Sequence, residues 1–271
     1  MNILITGGNG FIAGHLKNFL SQHHTVFAPG KDQLNCLDTG AVNSFFETHT
    51  IDIVIHTALS GREKLFDSDT KWMHDGLSMW TNIYANKHKF KKLIQFGSGY
   101  ELDLSVDNQL STLDDVLNSF PITPYGISKN QIARMCNRTE HFYTLRLFGH
   151  FHFTESDNRF FKKLSLSNEF TINEDQIFDY FNLEDTLTVV EFVINETPDT
   201  RDINLVYNQK LLMSEQAEIF CRINQINPCV TIKSTGNELT GDPAILNSFN
   251  LKLQGLEAGF KKYQLSKTHR S

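Results

Sequence analysis

Residues 2–14, NILITGGNGFIAG, place a short apolar run against a glycine-rich turn and a longer amphipathic run. The apolar run reads as a buried strand, and FIAGHLKNFLSQ (11–22) reads as a helix. Between them Gly7, Gly10 and Ala13 stand at a G-x-x-G-x-x-A spacing. Gly7 allows a tight turn. Gly10 lets a pyrophosphate approach the backbone N–H groups at the helix start, and Ala13 is small enough for close helix–strand packing. Glycines punctuate many turns, so the spacing alone is a weak signal. Its position between a strand and a helix is what gives it meaning. Gly7, Asn9, Gly10, Phe11 and Ile12 are therefore candidate cofactor-binding residues.

Working outward, the alternation continues. HTVFA (24–28), DIVIHTA (52–58), KLIQFGS (92–98) and FYTLRLF (142–148) read as strands. Helical spacing fills DTGAVNSFFETH (38–49), a stretch around 71–87, and YGISKNQIARMC (125–136). Apolar strands alternating with helices predict an α/β fold, a doubly wound parallel sheet of Rossmann type covered on both faces. After Phe148 the rhythm loosens. IFDYFNLEDTLTVVEFVIN (177–195) reads as strand, turn and helix, with Asp185 as the helix cap. DINLVYN (202–208) is a strand, LLMSEQAEIFCRI (211–223) a helix, and 242–264 two short helices broken near Gly255. The expected organisation is a dinucleotide-binding Rossmann domain over 1–148, with 177–205 returning to it. Residues 149–176 and 206–271 would form a small C-terminal α/β lobe for the substrate.

With 271 residues, 40% of them hydrophobic, the chain can bury a sizeable core, and its 22 phenylalanines are expected in core and pocket walls. A net charge of −6 argues against nucleic acid as a partner. Cys36, Cys136, Cys221 and Cys229 are scattered without metal-binding or disulfide spacing, so no metal and a reducing cytoplasm are expected. No apolar run reaches membrane-spanning length, and the N-terminus lacks the pattern of a signal peptide, so no membrane partner is expected.

VFAPGKDQLN (26–35) bears on the cofactor. An NAD enzyme usually carries an acid at the end of the second strand for the ribose 2′-hydroxyl. Here the first charge is Lys31, an ammonium suited to a 2′-phosphate, which favours NADP over NAD. The alternatives are that Lys31 is a solvated loop residue, and that Asp32 folds back to the ribose.

ITPYGISKNQIARM (122–135) starts like a helix, with Thr123 at the cap and Pro124 in the first position. Tyr125 and Lys129, four apart, share one face. An ammonium one turn from a phenol favours the phenolate, so the pair can move the proton that accompanies hydride transfer. Alone, it would be an ordinary surface pair. Upstream, QFGSGYELD (95–103) sets Ser98 at the end of a strand.

A glycine loop, a serine after the fourth strand and a Y-x-x-x-K helix together resemble the extended short-chain dehydrogenase/reductases, mostly nucleotide-sugar epimerases, dehydratases and keto-reductases. KDQLNCLDTGAVNSFFETHTIDIVIHTA, LRLFG, FDYFNLEDTL and QGLEAGFKKY are similar to corresponding stretches of GDP-fucose synthases and dTDP-4-keto-sugar reductases, so the resemblance spans nearly the whole chain. It implies that Ser98, Tyr125 and Lys129 are the catalytic triad. Asn35, with Cys36 beside it, would lie at the adenine and Ala58 in the cofactor cleft. Gly99, Tyr100, His150 and Arg159 would join Ser98 on the substrate, and Gly97 and Gly99 would leave room for the ligands. Two departures stand out. Tyr100 occupies the place of the fucose-synthase cysteine used in epimerisation. Phe178 replaces an arginine that binds the diphosphate, leaving either Arg159 or Lys162 for that charge or a substrate that is not a nucleotide sugar. The resemblance thus implies NADP(H)-dependent reduction of a keto group, at C4, on a deoxy nucleotide sugar, by a homodimer paired through the Tyr125 helix. Alternatives are a 4-epimerase retaining NAD, and a dinucleotide-binding sensor or scaffold without catalysis.

Overall fold

The computed structural model describes residues 1–59 and 69–265. In chain order the elements begin β1 (Asn2–Thr6), α1 (Phe11–Leu20), β2 (Thr25–Phe27), α2 (Thr39–Thr48), β3 (Ile53–His56), α3 (Lys71–Ala85) and β4 (Lys92–Ser98). Next come β5 (Asn108–Ser111), α4 (Leu113–Asn118), α5 (Pro124–Asn137), β6 (Phe142–Leu147), β7 (Gly149–Phe151), α6 (Phe160–Leu166) and β8 (Glu169–Asp175). The chain continues through β9 (Tyr180–Asn182), α7 (Leu183–Asn195), β10 (Asp202–Leu205), α8 (Met213–Asn224), β11 (Cys229–Thr235), β12 (Leu239–Gly241), α9 (Ala244–Ser248) and α10 (Leu256–Leu265).

A six-stranded sheet runs β10-β6-β4-β3-β1-β2. β1 pairs in parallel with β2 and β3, and β3 with β4. Every residue of β3, β4, β6 and β10 is buried, which is why these strands show no regular apolar–polar alternation. The expected doubly wound α/β architecture is the one observed. Its core gathers Leu4, Val54 and Leu93 from the sheet with Val42 and Phe46 of α2 and Trp80 and Ile83 of α3. Lys92 is the one long cation in the buried run of β4. Its Nζ donates to the carbonyls of Val193, Ile194 and Glu196, so it closes the C-terminal end of α7, where a positive charge is favoured.

The chain forms two compact units. The first comprises 1–103, 113–146 and 189–203; the second comprises 104–112, 147–188 and the chain from Asn204 on. The boundaries differ from the sequence expectation by two residues at 147–148 and 204–205, and by more in two further places. Residues 104–112 count with the second unit because β5 pairs with β12. Residues 177–188 also belong there because β9 pairs with β7, so the chain re-enters the first unit at Val189, inside α7. The second unit adds a parallel pair, β8 with β11. Its core is largely aromatic: Phe151, Phe161, Phe170, Phe220, Phe260 and Tyr263. Among the described residues no helix is long and apolar enough to cross a membrane, and no group of three or more His, Cys, Asp or Glu could hold a metal ion.

Candidate active site

The glycine loop connects β1 to α1 through Gly7 at φ +70°, where an L side chain is strained. A Cβ on Gly7 would also lie 2.8 Å from the Ala58 Cα, so Ala58, just past β3, closes directly on the turn. The N–H groups of Thr57 and Ala58 both donate to Thr6 Oγ1, fixing the two strand ends together. α1 then starts at Phe11 with no capping side chain at Gly10 and no acid in its first turn. Its N-terminal N–H groups and dipole therefore suit an anion, and the cradle fits the pyrophosphate of a dinucleotide. Asn9 is exposed, with its amide against Gly30; Phe11 and Ile12 are half-buried. Lys31 and Asp32 are exposed. Asn35 Oδ1 accepts from the Leu37 N–H. Cys36, expected beside Asn35 at the adenine, turns its side chain inward. It packs in the core, burial pushes its thiol up to about 11, and its carbonyl accepts from Asn82.

β4 delivers Ser98 to its C-terminal end, where the chain enters one turn of 3-10 helix, Gly99–Glu101. Ser98 is both a turn residue and a candidate catalyst. Its Oγ accepts from the Tyr100 N–H at 3.2 Å, while its own N–H donates to Glu101 Oε1 at 2.9 Å. α5 starts as expected, with Thr123 Oγ1 accepting from the Gly126 N–H and Pro124 leading. A Cβ on Gly126 would lie 2.3 Å from the Tyr100 carbonyl oxygen, so α5 can press onto the Ser98 turn only because that residue is glycine. This contact brings Ser98 and Tyr125 together, and the Ser98 side chain beside the phenol favours its ionised form. The Tyr100 ring meets the Tyr125 ring edge-on at 5.9 Å.

Lys129 lies one turn along α5, and its Nζ donates to the Phe96 carbonyl at 2.7 Å. It sits 5.9 Å from the centre of the Tyr125 ring. The expected lowering of the phenol by the ammonium is not what this arrangement produces. Burial pushes Tyr125 up to about 12, the Glu101 charge pushes the same way, and only the Ser98 side chain opposes them. Tyr125 is thus held as a neutral phenol, the form that donates a proton. Gly97 also differs from expectation. The space above it is filled by Glu101 Oε1 and Thr144 Cγ2, at 2.7 and 2.8 Å from a hypothetical Cβ.

His150 and Arg159 belong to the second unit and meet there. Arg159 Nη2 donates to the His150 carbonyl at 3.1 Å and lies 3.4 Å from its Nδ1. Burial, then the Arg159 charge, pushes His150 down to about 3, so the imidazole is neutral. Lys162, the other cation considered for a diphosphate, is buried and donates to the Phe153 carbonyl; Arg159 keeps 37% of its side chain exposed. Asp185 does not cap α7. It accepts from the Tyr207 hydroxyl and from the N–H groups of Gln254 and Gly255, while Asn182 Oδ1 accepts from the Glu184 N–H. Sequence reasoning also missed a cavity of about 290 Å³ beside Phe178, lined by Asp179, Tyr180, Tyr207 and Gln216 among others.

Near Arg159, Glu155 Oε1 accepts from the Tyr263 hydroxyl at 2.6 Å. Burial raises this carboxyl from 4.5 to about 7. The native state therefore holds a proton that the unfolded chain releases. Its stabilising contribution is fully present below about pH 4.5 and is lost as pH rises through 7, an effect of about 3 kcal/mol. Urea denaturation at pH 5 and pH 8 should show the stability of Glu155→Gln falling less with pH than that of the wild type. Equal slopes would mean that Glu155 ionises as an ordinary surface carboxylate.

Residues 3–206 match the NAD dependent epimerase/dehydratase family. No curated protein matches the chain by sequence. Among solved structures, a GDP-mannoheptose C4 reductase from Campylobacter jejuni with NADP bound superposes with a TM-score of 0.83 at 17% identity, over 98% of each chain. A GDP-L-fucose synthetase from Naegleria fowleri bound to NADP gives 0.79 at 14% identity, over 99% of this chain and 93% of that one. A UDP-glucose 4-epimerase from Thermotoga maritima with UDP-glucose gives 0.81 at 18% identity, over 99% and 100%. At such identities the likeness is one of fold. The family match runs from the glycine cradle through Ser98, Tyr125 and Lys129 to the last strand of the sheet, and by it the chain belongs to the NAD dependent epimerase/dehydratase family, a branch of the extended short-chain dehydrogenase/reductases.

Proposed function

We propose that this protein reduces a keto group, at C4, on a deoxy nucleotide sugar with NADPH. The observation that carries the reading is the buried Ser98–Tyr125 pair, with the phenol kept protonated. When bound, NADPH supplies a hydride to the carbonyl carbon. The Ser98 hydroxyl holds the carbonyl oxygen in line with the phenol, Tyr125 gives that oxygen its proton, and the product is a secondary alcohol. Lys129 anchors the helix face to β4 through the Phe96 carbonyl and keeps a cation near the phenolate left behind. Tyr100 supports reduction over epimerisation, because it fills the place of the cysteine that epimerising relatives use. The sugar reductases among the structural neighbours lend the substrate class.

The same proposal includes NADP preference through Lys31, a homodimer paired through α3 and α5, and a cytoplasmic site of action. Incubation with NADPH and a panel of 4-keto nucleotide sugars should consume cofactor and yield the 4-hydroxy product. Turnover without added cofactor, by protein that purifies with NAD, would replace this reading with a 4-epimerase. Lys31→Ala should raise KM for NADPH about tenfold and leave KM for NADH unchanged, since one charge-assisted contact to the 2′-phosphate is lost. Equal KM values before and after would place Lys31 in solvent.

A further inference from the structure

Glu101 is completely buried directly beneath the candidate site. Its two carboxylate oxygens are divided between two tasks. Oε1 accepts from the Ser98 N–H at 2.9 Å, and Oε2 accepts from Arg146 Nε at 2.7 Å. Arg146, next to the C-terminal end of β6 and 1% exposed, turns its other two nitrogens onto Asp202 of β10, at 2.6 and 2.8 Å. The main chain of Glu101 is held as well. Asn130 of α5 donates through Nδ2 to the Glu101 carbonyl at 2.8 Å, and Arg134 Nε donates to Asn130 Oδ1. Glu101 therefore joins the Ser98 turn, two sheet strands and the helix that carries Tyr125 and Lys129.

A structural salt bridge alone would not need this layout. Arg146 and Asp202 already form a two-pronged pair, and a carboxylate added at its rear costs desolvation. The sequence also clears a place for it, since only a glycine at position 97 leaves room for Glu101 Oε1. We infer that Glu101 is a positioning residue, whose carboxylate sets the Ser98 turn against the Tyr125 phenol for proton transfer. This rests on the reductase reading above. Arg146 and Asp202 fix the carboxylate, and Asn130 fixes its backbone. The other titratable groups are Lys129 on α5, Cys136 further along that helix, and His56 of β3. Burial raises the Cys136 thiol and pushes His56 down to about 3, so both are neutral.

Glu101→Gln keeps the size and removes the charge. Its amide oxygen can accept from Ser98 or from Arg146, not both. Two measurements test the proposal. With a 4-keto nucleotide sugar and NADPH, kcat should fall about 10- to 100-fold while both KM values stay within about threefold. By NMR of Cζ-labelled tyrosine, with the Tyr125 signal assigned by its loss in Tyr125→Phe, the phenol should ionise at lower pH in Glu101→Gln than in the wild type. A purely structural role would reduce the folded fraction and leave kcat per folded molecule where it was. Wild-type kcat, or a fall in kcat with an unmoved Tyr125 titration, overturns the proposal. The titration needs no substrate, so a wild type that reduces no sugar defeats the reductase reading while the Glu101 result still stands or falls by itself. If Glu101→Gln does not fold, Asn130→Ser leaves the Glu101 carboxylate untouched and releases its backbone, together with the Val116 carbonyl and Arg134 Nε that Asn130 also holds. It should lower kcat about tenfold at unchanged KM, and wild-type kcat there overturns the proposal.

Discussion

Tyr125→Phe will lower kcat about 10³-fold and leave the affinity for NADPH within about twofold, because it removes one oxygen from the candidate site and little else. The ring stays packed against Tyr100 and keeps its place in the first turn of α5, whose cap is Thr123 rather than the phenol. Ser98 loses the hydroxyl beside it and retains its bond from the Tyr100 N–H. What disappears is the neutral acid held against Ser98. The alkoxide formed by hydride transfer would then take its proton from water. The pH dependence sharpens the test. With burial and Glu101 holding Tyr125 up to about 12, the wild type should keep its full rate of proton donation through neutral and mildly alkaline pH. Steady-state kinetics with parallel fluorescence titration of NADPH separates the two effects. A variant with more than a tenth of wild-type kcat would show that another group is the acid.

The second large effect is on stability. Arg146→Met should cost about 3–5 kcal/mol, the range for breaking a buried ion pair on one side. Arg146 is the shared cation of Glu101 and Asp202, all three nearly inaccessible to solvent. Its removal leaves two carboxylates in the interior with no cation against them. One must take up a proton on folding, which raises its pKa above the unfolded value. The loss should therefore be smaller at pH 5 and grow as pH rises toward 8, adding to the slope that the wild type already has because burial raises the Glu101 carboxyl. Urea titrations at the two pH values would show it. A loss below about 1 kcal/mol would mean that water reaches the site and the ions are solvated.

The readable parts of this molecule are those in which cause and effect lie close together in sequence. The Gly7 turn, the Thr123 cap and the Tyr125–Lys129 spacing each involve residues within a few positions, so the helix and strand periods display them directly. Ser98 was readable only through resemblance, since a serine between glycines fits any turn. Glu101 was passed over because its partners, Arg146 and Asp202, lie far along the chain. One signal was present: an arginine within FYTLRLF, an otherwise apolar buried strand, demands a buried partner. The pairs β5–β12 and β8–β11 were invisible for the same reason of distance. β11 is exposed along its whole length, and only Val230 and Ile232, alternating with Thr231 and Lys233, mark it as a strand. The Tyr125–Lys129 pair carried a subtler error. Spacing located both residues, but the Lys129 Nζ is turned to the Phe96 carbonyl, and burial rather than its charge dominates the phenol.

The return of the chain to the first unit at Val189 has a consequence for biosynthesis. β10 is the edge strand of the sheet and the last of its strands to leave the ribosome, and it carries Asp202. Until then Glu101 and Arg146 can neutralise each other, one charge against one. The nascent sheet can thus bury β4 and β6 before the second unit is complete, and Asp202 joins an ion pair that already exists. Neither unit is a continuous stretch of chain, so cutting the gene at a unit boundary would yield two fragments, each missing part of its own core.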